Sequence, residues 1–471
     1  MLDESALLRR GQRVRGGMGR QQIEKDPFPH LPSPSPQILH SITSQRQLLD
    51  ASSSRPLVLI PTATQKHHIM SHPHPAPIHP SEIPAAAKGK TVFLTGATGY
   101  IGGTVLSKLL SLPIPPALFT VLTRDPKKAE LFSSLTVPSG TTIQPLQGSL
   151  SDYDKLEKAA SEHDITVSCA DADNLEAVQA ILKGMKKRRE QSGHRPYLIH
   201  TSGTGVLVDN AKGNYPNDKV GATRTNCDCL QIFMAAQIYT DLNPMPASRD
   251  DPALLSMEVL PENAPHRQVD LAILEADAQG WCKSYIVLPS TIWGVGKGEI
   301  FEKGIANSFS DQVPTMARAG LDREQAGHVG KGANIWPHVN VSDVGDLYAL
   351  VYNGALRKDI GHGKSGYYFG ASGEYTMLAV SSAIGATLLD HKWSQTAQPA
   401  PWTEEDLKKY YGGSTYMGTN SRCRADRSKS IGWKPKFDDF EDFLKHVSNE
   451  VVRVEKHFGR KMDTATTKSA Y

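Results

Sequence analysis

The sequence predicts an α/β protein built on a doubly wound parallel sheet, with a smaller α/β region in its C-terminal part. Three observations support this prediction. From residue 90 onward, short runs of β-branched and aromatic residues alternate with amphipathic helical patterns. A glycine-rich turn joins the first of these strands to its helix, and the first 88 residues differ in composition from the rest.

The first segment, residues 1–88, is rich in Pro, Ser, His and Gln and has no periodic apolar residues. Such a composition buries too little apolar surface to offset the entropy of ordering, so we predict disorder. Several arginines before residue 21 raise the alternative of a mitochondrial presequence. Asp3, Glu4 and the many glycines interrupt the amphipathic helix that such a signal needs. A natural start at Met70 is a further hypothesis.

The glycine-rich turn follows a strand pattern at 91–94 and opens a helix that has apolar residues on one face. In that context the first glycine permits a tight turn, the second lets the backbone approach a pyrophosphate, and the third lets helix and strand pack closely. The sequence therefore predicts a Rossmann-type dinucleotide site. The candidate cofactor-binding residues of this turn are Thr95, Gly96, Thr98, Gly99, Tyr100, Ile101 and Gly102.

The alternation of strands and helices continues to residue 294 and predicts a parallel sheet in a domain spanning 89–294. The further strands are predicted at 119–123, 142–146, 165–169, 197–201 and 284–288. A helix is predicted at 174–189, and its last residues form the basic cluster 186–189. We interpret that cluster as a solvated helix end that the helix dipole favours.

The residue type at the end of the second strand should determine which of the two nicotinamide dinucleotides binds. An acidic residue there holds a ribose 2′-hydroxyl, whereas an arginine accommodates a 2′-phosphate. Arg124 comes first and Asp125 follows. The order favours NADP over NAD, and the alternative is that Arg124 is only a solvated strand end.

Beyond these patterns, the chain resembles the extended and atypical branch of the short-chain dehydrogenases/reductases, which includes NAD-dependent epimerases/dehydratases and NmrA-like proteins. The resemblance covers about residues 90 to 455. The matching segments are 95–102, 148–152, 201–204, 288–294, 338–344 and 427–435. It implies that Asp152 lies near the adenine and that Pro289 also belongs to the cofactor site. It further implies an oxidoreductase or epimerase-like enzyme acting on a small carbonyl, aldehyde or alcohol.

The catalytic residues match this family less well. Redox members use a Ser after the fifth strand and a Tyr and a Lys four residues apart on the next helix, and Ser202 fills the first position. The helix expected to carry the pair, near 266–275, has neither residue. His266 lies near the place of the Lys and is either a proton-transfer group or a helix-start residue. Tyr215 and Lys219 match the spacing literally, but Pro216 and poor helical periodicity favour a loop there.

Two regions depart from the core pattern. Residues 220–237 have no place in the family pattern and are interpreted as an anomalous insertion, for which a retained intron is one hypothesis. Cys227 and Cys229 lie inside it, and two thiolates without further ligands do not complete a metal site, so no metal is predicted. The predicted substrate-binding region spans 295–460, irregular and polar after Gly294, and is followed by a tail at 461–471. Its candidate lining residues are Trp293, Trp336, His338 and Tyr375.

Composition restricts the class of partner. A net charge of +3 is too small to indicate nucleic acid or an anionic membrane, so we expect a small-molecule substrate and also consider a homodimer. Five scattered cysteines fit a reducing, cytoplasmic location better than a disulfide framework. The alternative to an enzyme is an NADP-binding redox sensor of NmrA-like type, which the missing Tyr/Lys pair favours.

Overall fold

The computed structural model describes residues 87–216, 220–223, 231–234, 238–242 and 254–462. The predictions for the N-terminal segment, for Lys219, for Cys227 and Cys229 and for the tail beyond 462 lie outside the described residues. Within the predicted insertion, strands β6 (Val220–Thr223) and β7 (Gln231–Met234) pair in antiparallel orientation.

The centre of the molecule is a seven-stranded parallel sheet with the order β3-β2-β1-β4-β5-β10-β14. Its strands are β1 (Thr91–Thr95), β2 (Leu118–Thr123), β3 (Thr142–Gln147), β4 (Ile165–Ser168), β5 (Tyr197–Thr201), β10 (Lys283–Pro289) and β14 (Tyr367–Gly370). The order reverses between β1 and β4, which is the doubly wound Rossmann arrangement predicted from the sequence. A ligand crevice is expected at the carboxyl ends of the strands beside this reversal.

The helices follow the alternation that the sequence predicts, with boundaries shifted by a few residues. They are α1 (Tyr100–Leu110), α2 (Pro126–Phe132), α3 (Tyr153–Glu162), α4 (Leu175–Ser192), α5 (Arg267–Ala278), α6 (Glu299–Glu302), α7 (Gln312–Arg323), α8 (Val341–Arg357), α9 (Met377–Asp390), α10 (Glu404–Tyr411), α11 (Asp426–Ser430) and α12 (Phe440–Phe458). Helix α8 packs on α1, and α3 packs on α4. Their apolar faces cover the buried sheet residues, among them Phe93, Phe119 and Val287.

The smaller region has a hydrophobic core of its own. Around it lie the short strands β11 (Thr291–Trp293), β12 (Gly327–His328), β13 (Ile335–Asn340), β15 (Gly373–Thr376) and β16 (Ala400–Pro401). Helices α7, α9 and α12 pack on one another and bury Met316, Val380 and Val447. The prediction that the chain is irregular after Gly294 is wrong for α7, whose residues Val313, Met316, Ala317 and Leu321 are buried at helical spacing.

The chain after the predicted insertion is anchored at Asp241. Strand β8 (Ile238–Thr240) lies between β9 (Leu254–Ser256) and β17 (Cys423–Arg424). Directly after it, the buried Asp241 carboxylate accepts hydrogen bonds from the backbone N–H groups of Phe369, Arg427 and Ser428 at 3.0, 2.6 and 3.1 Å. Residues 238–242 therefore belong to the folded body.

Among the described residues, no helix combines the length and the apolar character needed to cross a bilayer.

Candidate active site

The glycine turn between β1 and α1 has the geometry that a dinucleotide needs. Gly96 has φ +78°, a left-handed conformation that glycine adopts without strain. A Cβ atom on Gly102 would lie 2.1 Å from the Gly96 carbonyl oxygen, so only glycine allows the helix to come this close to the turn. The strand, the turn and the first helical residues are thereby held together at the carboxyl edge of the sheet.

The start of α1 is open to an anion. Gly99 is the N-cap and offers no side-chain cap, and the first turn carries no acidic residue. The first N–H groups of the helix therefore keep their capacity to donate, and the helix dipole favours negative charge there. Gly99, Tyr100 and Ile101 line a cleft of about 550 Å³. These features fit the pyrophosphate of a dinucleotide, with the backbone of α1 as donor.

Tyr100 faces this cleft but its hydroxyl is directed into the protein. It donates to the Gly294 carbonyl oxygen at 2.7 Å, and the Gly294 N–H donates to Nε2 of His446 on α12 at 3.1 Å. Burial raises the pKa of the Tyr100 hydroxyl and, at His446, lowers the imidazole pKa to about 4, so both groups are neutral at pH 7. Tyr100 therefore shapes the cleft wall, and its hydroxyl ties α1 to the C-terminal helix.

His266 is a titratable side chain that lines the cleft next to the glycines of the loop after β5. It is the N-cap of α5 and has φ +63°. Its ring Nδ1 lies 2.9 Å from Oδ1 of Asp173, and its backbone N–H donates to the same oxygen at 2.8 Å. Nε2 faces the loop after β5, where a Cβ on Gly205 would lie 3.1 Å from it. His266 therefore starts a helix and also borders the cleft.

Asp173 is the hydrogen-bond partner of the His266 ring. The hydrogen bond from His266 lowers the pKa of the Asp173 carboxyl, so Asp173 is ionised at neutral pH. A carboxylate on Nδ1 fixes the ring tautomer and orients the ring. Asp173 could not be predicted from sequence spacing, because it is 93 positions from His266 in the chain.

Ser202 lies behind the cleft wall. Its side chain is buried and its Oγ donates to Oδ2 of Asp270 on α5 at 3.1 Å, whereas the next residues, Gly203 and Thr204, line the cleft. The Thr204 Oγ1 is buried and has no hydrogen-bond partner among the described residues. Thr204, two positions after the predicted serine, is therefore a second candidate for binding a substrate oxygen.

Tyr215, the first residue of the literal Tyr-Lys match, does not lie on a helix. It lies in a loop, is 40% exposed and does not line the cleft, and its carbonyl accepts from Nδ2 of Asn420 at 3.1 Å. Lys219 lies outside the described residues. The four-residue spacing of the family pair recurs on α5 instead, as His266 and the buried Asp270.

The remaining cofactor candidates occupy the turns after their strands. Arg124 is exposed at the end of β2, while the Asp125 carboxylate caps α2 by accepting from the Lys127 N–H at 2.9 Å. Asp152 accepts from Ser149 N–H and Oγ, and the backbone hydrogen bond from Ser149 is the main cause of its lowered pKa. Pro289 ends β10 and lines the cleft.

Of the four predicted lining residues in the smaller region, Trp336 lines the cleft. Trp293, His338 and Tyr375 are buried in an aromatic cluster away from it, in which Trp293 Nε1 donates to His338 Nδ1 at 3.2 Å and Tyr375 bonds Thr291 at 2.8 Å. Their aromatic character reflects interior packing. Tyr416 lines the cleft and was not foreseen from the sequence.

Among known proteins, the chain has relatives of low sequence identity. No family model matches the chain. It is 24% identical over 369 residues to oxidase ucsJ from Acremonium sp, which covers 74% of this chain and 93% of the relative. It is also 24% identical over 360 residues to the uncharacterized protein C2A9.02 from Schizosaccharomyces pombe, covering 73% of this chain and 94% of that protein.

Two solved structures with a similar chain course are both enzymes. UDP-glucose 4-epimerase from Thermotoga maritima is 15% identical with a TM-score of 0.46, over 77% of this chain and 99% of that chain. Yeast methylglyoxal/isovaleraldehyde reductase Gre2 is 14% identical with a TM-score of 0.46, over 78% of this chain and 100% of that chain. The strand order of the sheet confirms the predicted doubly wound, Rossmann-type fold.

Proposed function

We propose that the protein is an NAD(P)-dependent oxidoreductase or epimerase-like enzyme acting on a small carbonyl, aldehyde or alcohol. One observation supports this proposal above the others: the open start of α1 and the His266–Asp173 pair border the same cleft. A dinucleotide site and a proton-transfer group are the two parts that carbonyl reduction or alcohol oxidation requires. The similarity to a protein named as an oxidase is in keeping with it.

The chain's residues divide the work of such a reaction. The nicotinamide supplies or accepts the hydride when the cofactor is bound. The N–H groups at Tyr100 and Ile101 hold the pyrophosphate, and the Thr204 hydroxyl binds the substrate oxygen. His266 Nε2 gives a proton to that oxygen in reduction and takes it in oxidation, while Asp173 positions the ring. Ser202, bonded to Asp270, supports the loop that presents Thr204.

We further propose that NADP is preferred to NAD. The carboxylate at the end of β2 is engaged as a helix cap, and Arg124 beside it is exposed and available to a 2′-phosphate. Arg124→Ala is expected to weaken NADPH binding roughly tenfold to hundredfold and leave NADH binding almost unchanged, since a charge-assisted phosphate contact contributes about 1.5–3 kcal/mol. Equal weakening of both cofactors would contradict the assignment.

The second candidate function is a redox sensor that binds NADP without turnover. The observation that favours it is the absence of the Tyr/Lys pair from α5, where His266 and Asp270 have that spacing. The two functions differ in one respect that can be measured. A sensor discriminates the oxidised from the reduced cofactor but does not interconvert them.

The deciding experiment measures NADPH and NADP binding, then turnover on a panel of aldehydes, ketones and alcohols. His266→Gln is expected to lower kcat by about 10²–10⁴-fold with cofactor affinity retained. Thr204→Val tests the substrate contact. Ser202→Ala is compared with it as a change behind the cleft wall, and Tyr215→Phe is the control outside the cleft. Cofactor binding without turnover on any substrate would favour the sensor. Full activity in His266→Gln would remove His266 from the mechanism.

A further inference from the structure

A second cleft, of about 770 Å³, lies at the opposite edge of the central sheet. It is bordered by the residues that precede β1, β4 and β5, by the start of β10, and by the C-terminal ends of α4 and α8. The amino ends of parallel strands meet at this edge, so the cleft is on the far side of the sheet from the candidate active site. We call it the basic cleft.

Positive charge dominates its lining. Among the described residues, Asp164 is the one carboxylate that lines it, against seven cationic side chains: Lys88, Lys90, Arg188, Arg189, Arg195, Lys283 and Lys358. The whole chain, by comparison, carries a net charge of +3.

Internal partners account for some of these cations. Asp164 pairs with Arg188 at 2.6 Å and with Lys90 at 4.0 Å, and Arg195 pairs with Asp277 at 2.9 Å. Arg189 donates to the Gly193 carbonyl oxygen at the end of α4, as a basic residue at a helix C-terminus is expected to do. These contacts agree with the sequence-based interpretation of residues 186–189 as a helix end.

Three lysines have no such role. Within the part of the chain that the structure describes, Lys88, Lys283 and Lys358 form no ion pair. Burial lowers the pKa of Lys283, and repulsion from Arg195 and Lys358 lowers it further. Cations held close to one another at the rim of a cavity repel, and a bound anion relieves that repulsion.

We propose that the basic cleft binds a small soluble anion carrying several phosphate groups, at a site separate from the dinucleotide cleft. Arginine and lysine are the side chains that recognise phosphate, and the volume suits a small molecule. The cations surround a concavity and do not form the extended stripe that tracks a nucleic acid. The apolar lining is limited to Leu356, Pro196 and the ring of Tyr197, which is too little to insert into a bilayer.

The test uses the full chain and inorganic tripolyphosphate, titrated calorimetrically. We expect saturable binding that weakens as salt is raised, because the contact is between charges. The triple variant Lys88→Gln, Lys283→Gln and Lys358→Gln should bind roughly tenfold to hundredfold more weakly, at up to about 1 kcal/mol for each exposed pair. Circular dichroism and thermal melting establish that the variant is folded.

A matched control removes three exposed lysines far from the cleft, Lys408→Gln, Lys434→Gln and Lys445→Gln, and should bind as the parent does. Arg124→Ala, at the dinucleotide cleft, should also leave tripolyphosphate binding unchanged. Equal weakening in both triple variants would overturn the proposal, and so would an unaltered affinity in the first. The proposal would also be overturned, in favour of a macromolecular partner, if the parent protein failed to bind tripolyphosphate but bound duplex DNA or phosphatidylserine vesicles through these lysines.

Discussion

Gly102→Ala is the sharpest test of the dinucleotide site, because the new Cβ atom would clash with the backbone of the glycine turn. The added methyl carbon would lie 2.1 Å from the Gly96 carbonyl oxygen and 2.5 Å from its carbonyl carbon. Non-bonded carbon atoms rest about 3.5–4.0 Å apart, so α1 must move away from the turn by about 1 Å. Neither backbone segment can rotate aside as a side chain would.

A displacement of that size in a positioned binding group costs roughly hundredfold, and overpacking of this kind costs about 1–3 kcal/mol of stability. We therefore expect Gly102→Ala to bind NADPH about hundredfold more weakly, measured by quenching of protein fluorescence. Its free energy of unfolding, from urea denaturation, should be lower than that of the parent by about 1–3 kcal/mol.

The matched control is Gly320→Ala on α7, another helical glycine. Its new methyl would approach the Ile384 and Leu388 side chains at 3.2 and 3.4 Å, and such groups can adjust. The control should keep parental NADPH affinity. A folded Gly102→Ala protein with parental NADPH affinity would refute the assignment of this turn to the cofactor.

Three further perturbations test the packing around the site. Burial and, secondarily, repulsion from His266 lower the pKa of His200 to about 3, and its ring nitrogens have no partner among the described residues. With an unfolded-state pKa of about 6.5, its contribution is present above pH 6.5 and lost as pH falls, by about 2 kcal/mol at pH 5. His200→Leu should therefore flatten the decline in unfolding free energy between pH 7 and pH 5, and a decline equal to the parent's would count against this account. Gly184→Ala places a methyl 2.1 Å from the Glu157 carbonyl oxygen between α3 and α4, and should cost about 1–3 kcal/mol in urea denaturation. Tyr100→Phe leaves the buried Gly294 carbonyl without its 2.7 Å donor and should cost about 1–3 kcal/mol, so an unchanged melting temperature would speak against that bond.

The parts of the fold that the sequence predicts well are those set by local patterns. The first strand, the glycine turn and the start of α1 agree with prediction within a residue, because turn geometry and helical spacing depend on residues that are close in sequence. The seventh strand, Tyr367–Gly370, was not predicted. It is a four-residue aromatic run whose strand conformation depends on pairing with β10, about eighty positions earlier.

The candidate site was harder to predict for a related reason. His266 was found because it lies near a family position, but its partner Asp173 belongs to the loop after β4. Ser202 and Thr204 differ in their contacts: Ser202 Oγ donates to Asp270, whereas Thr204 lines the cleft and its buried Oγ1 has no partner among the described residues. Sequence spacing carries no information on either point.

Gly294 has a consequence for how the molecule unfolds. It accepts a hydrogen bond from Tyr100 on the first helix of the large core and donates one to His446 on the last helix of the small core. A local opening of either core must break a buried contact with the other. Calorimetry should therefore show one cooperative melting transition, with the two hydrophobic cores lost together.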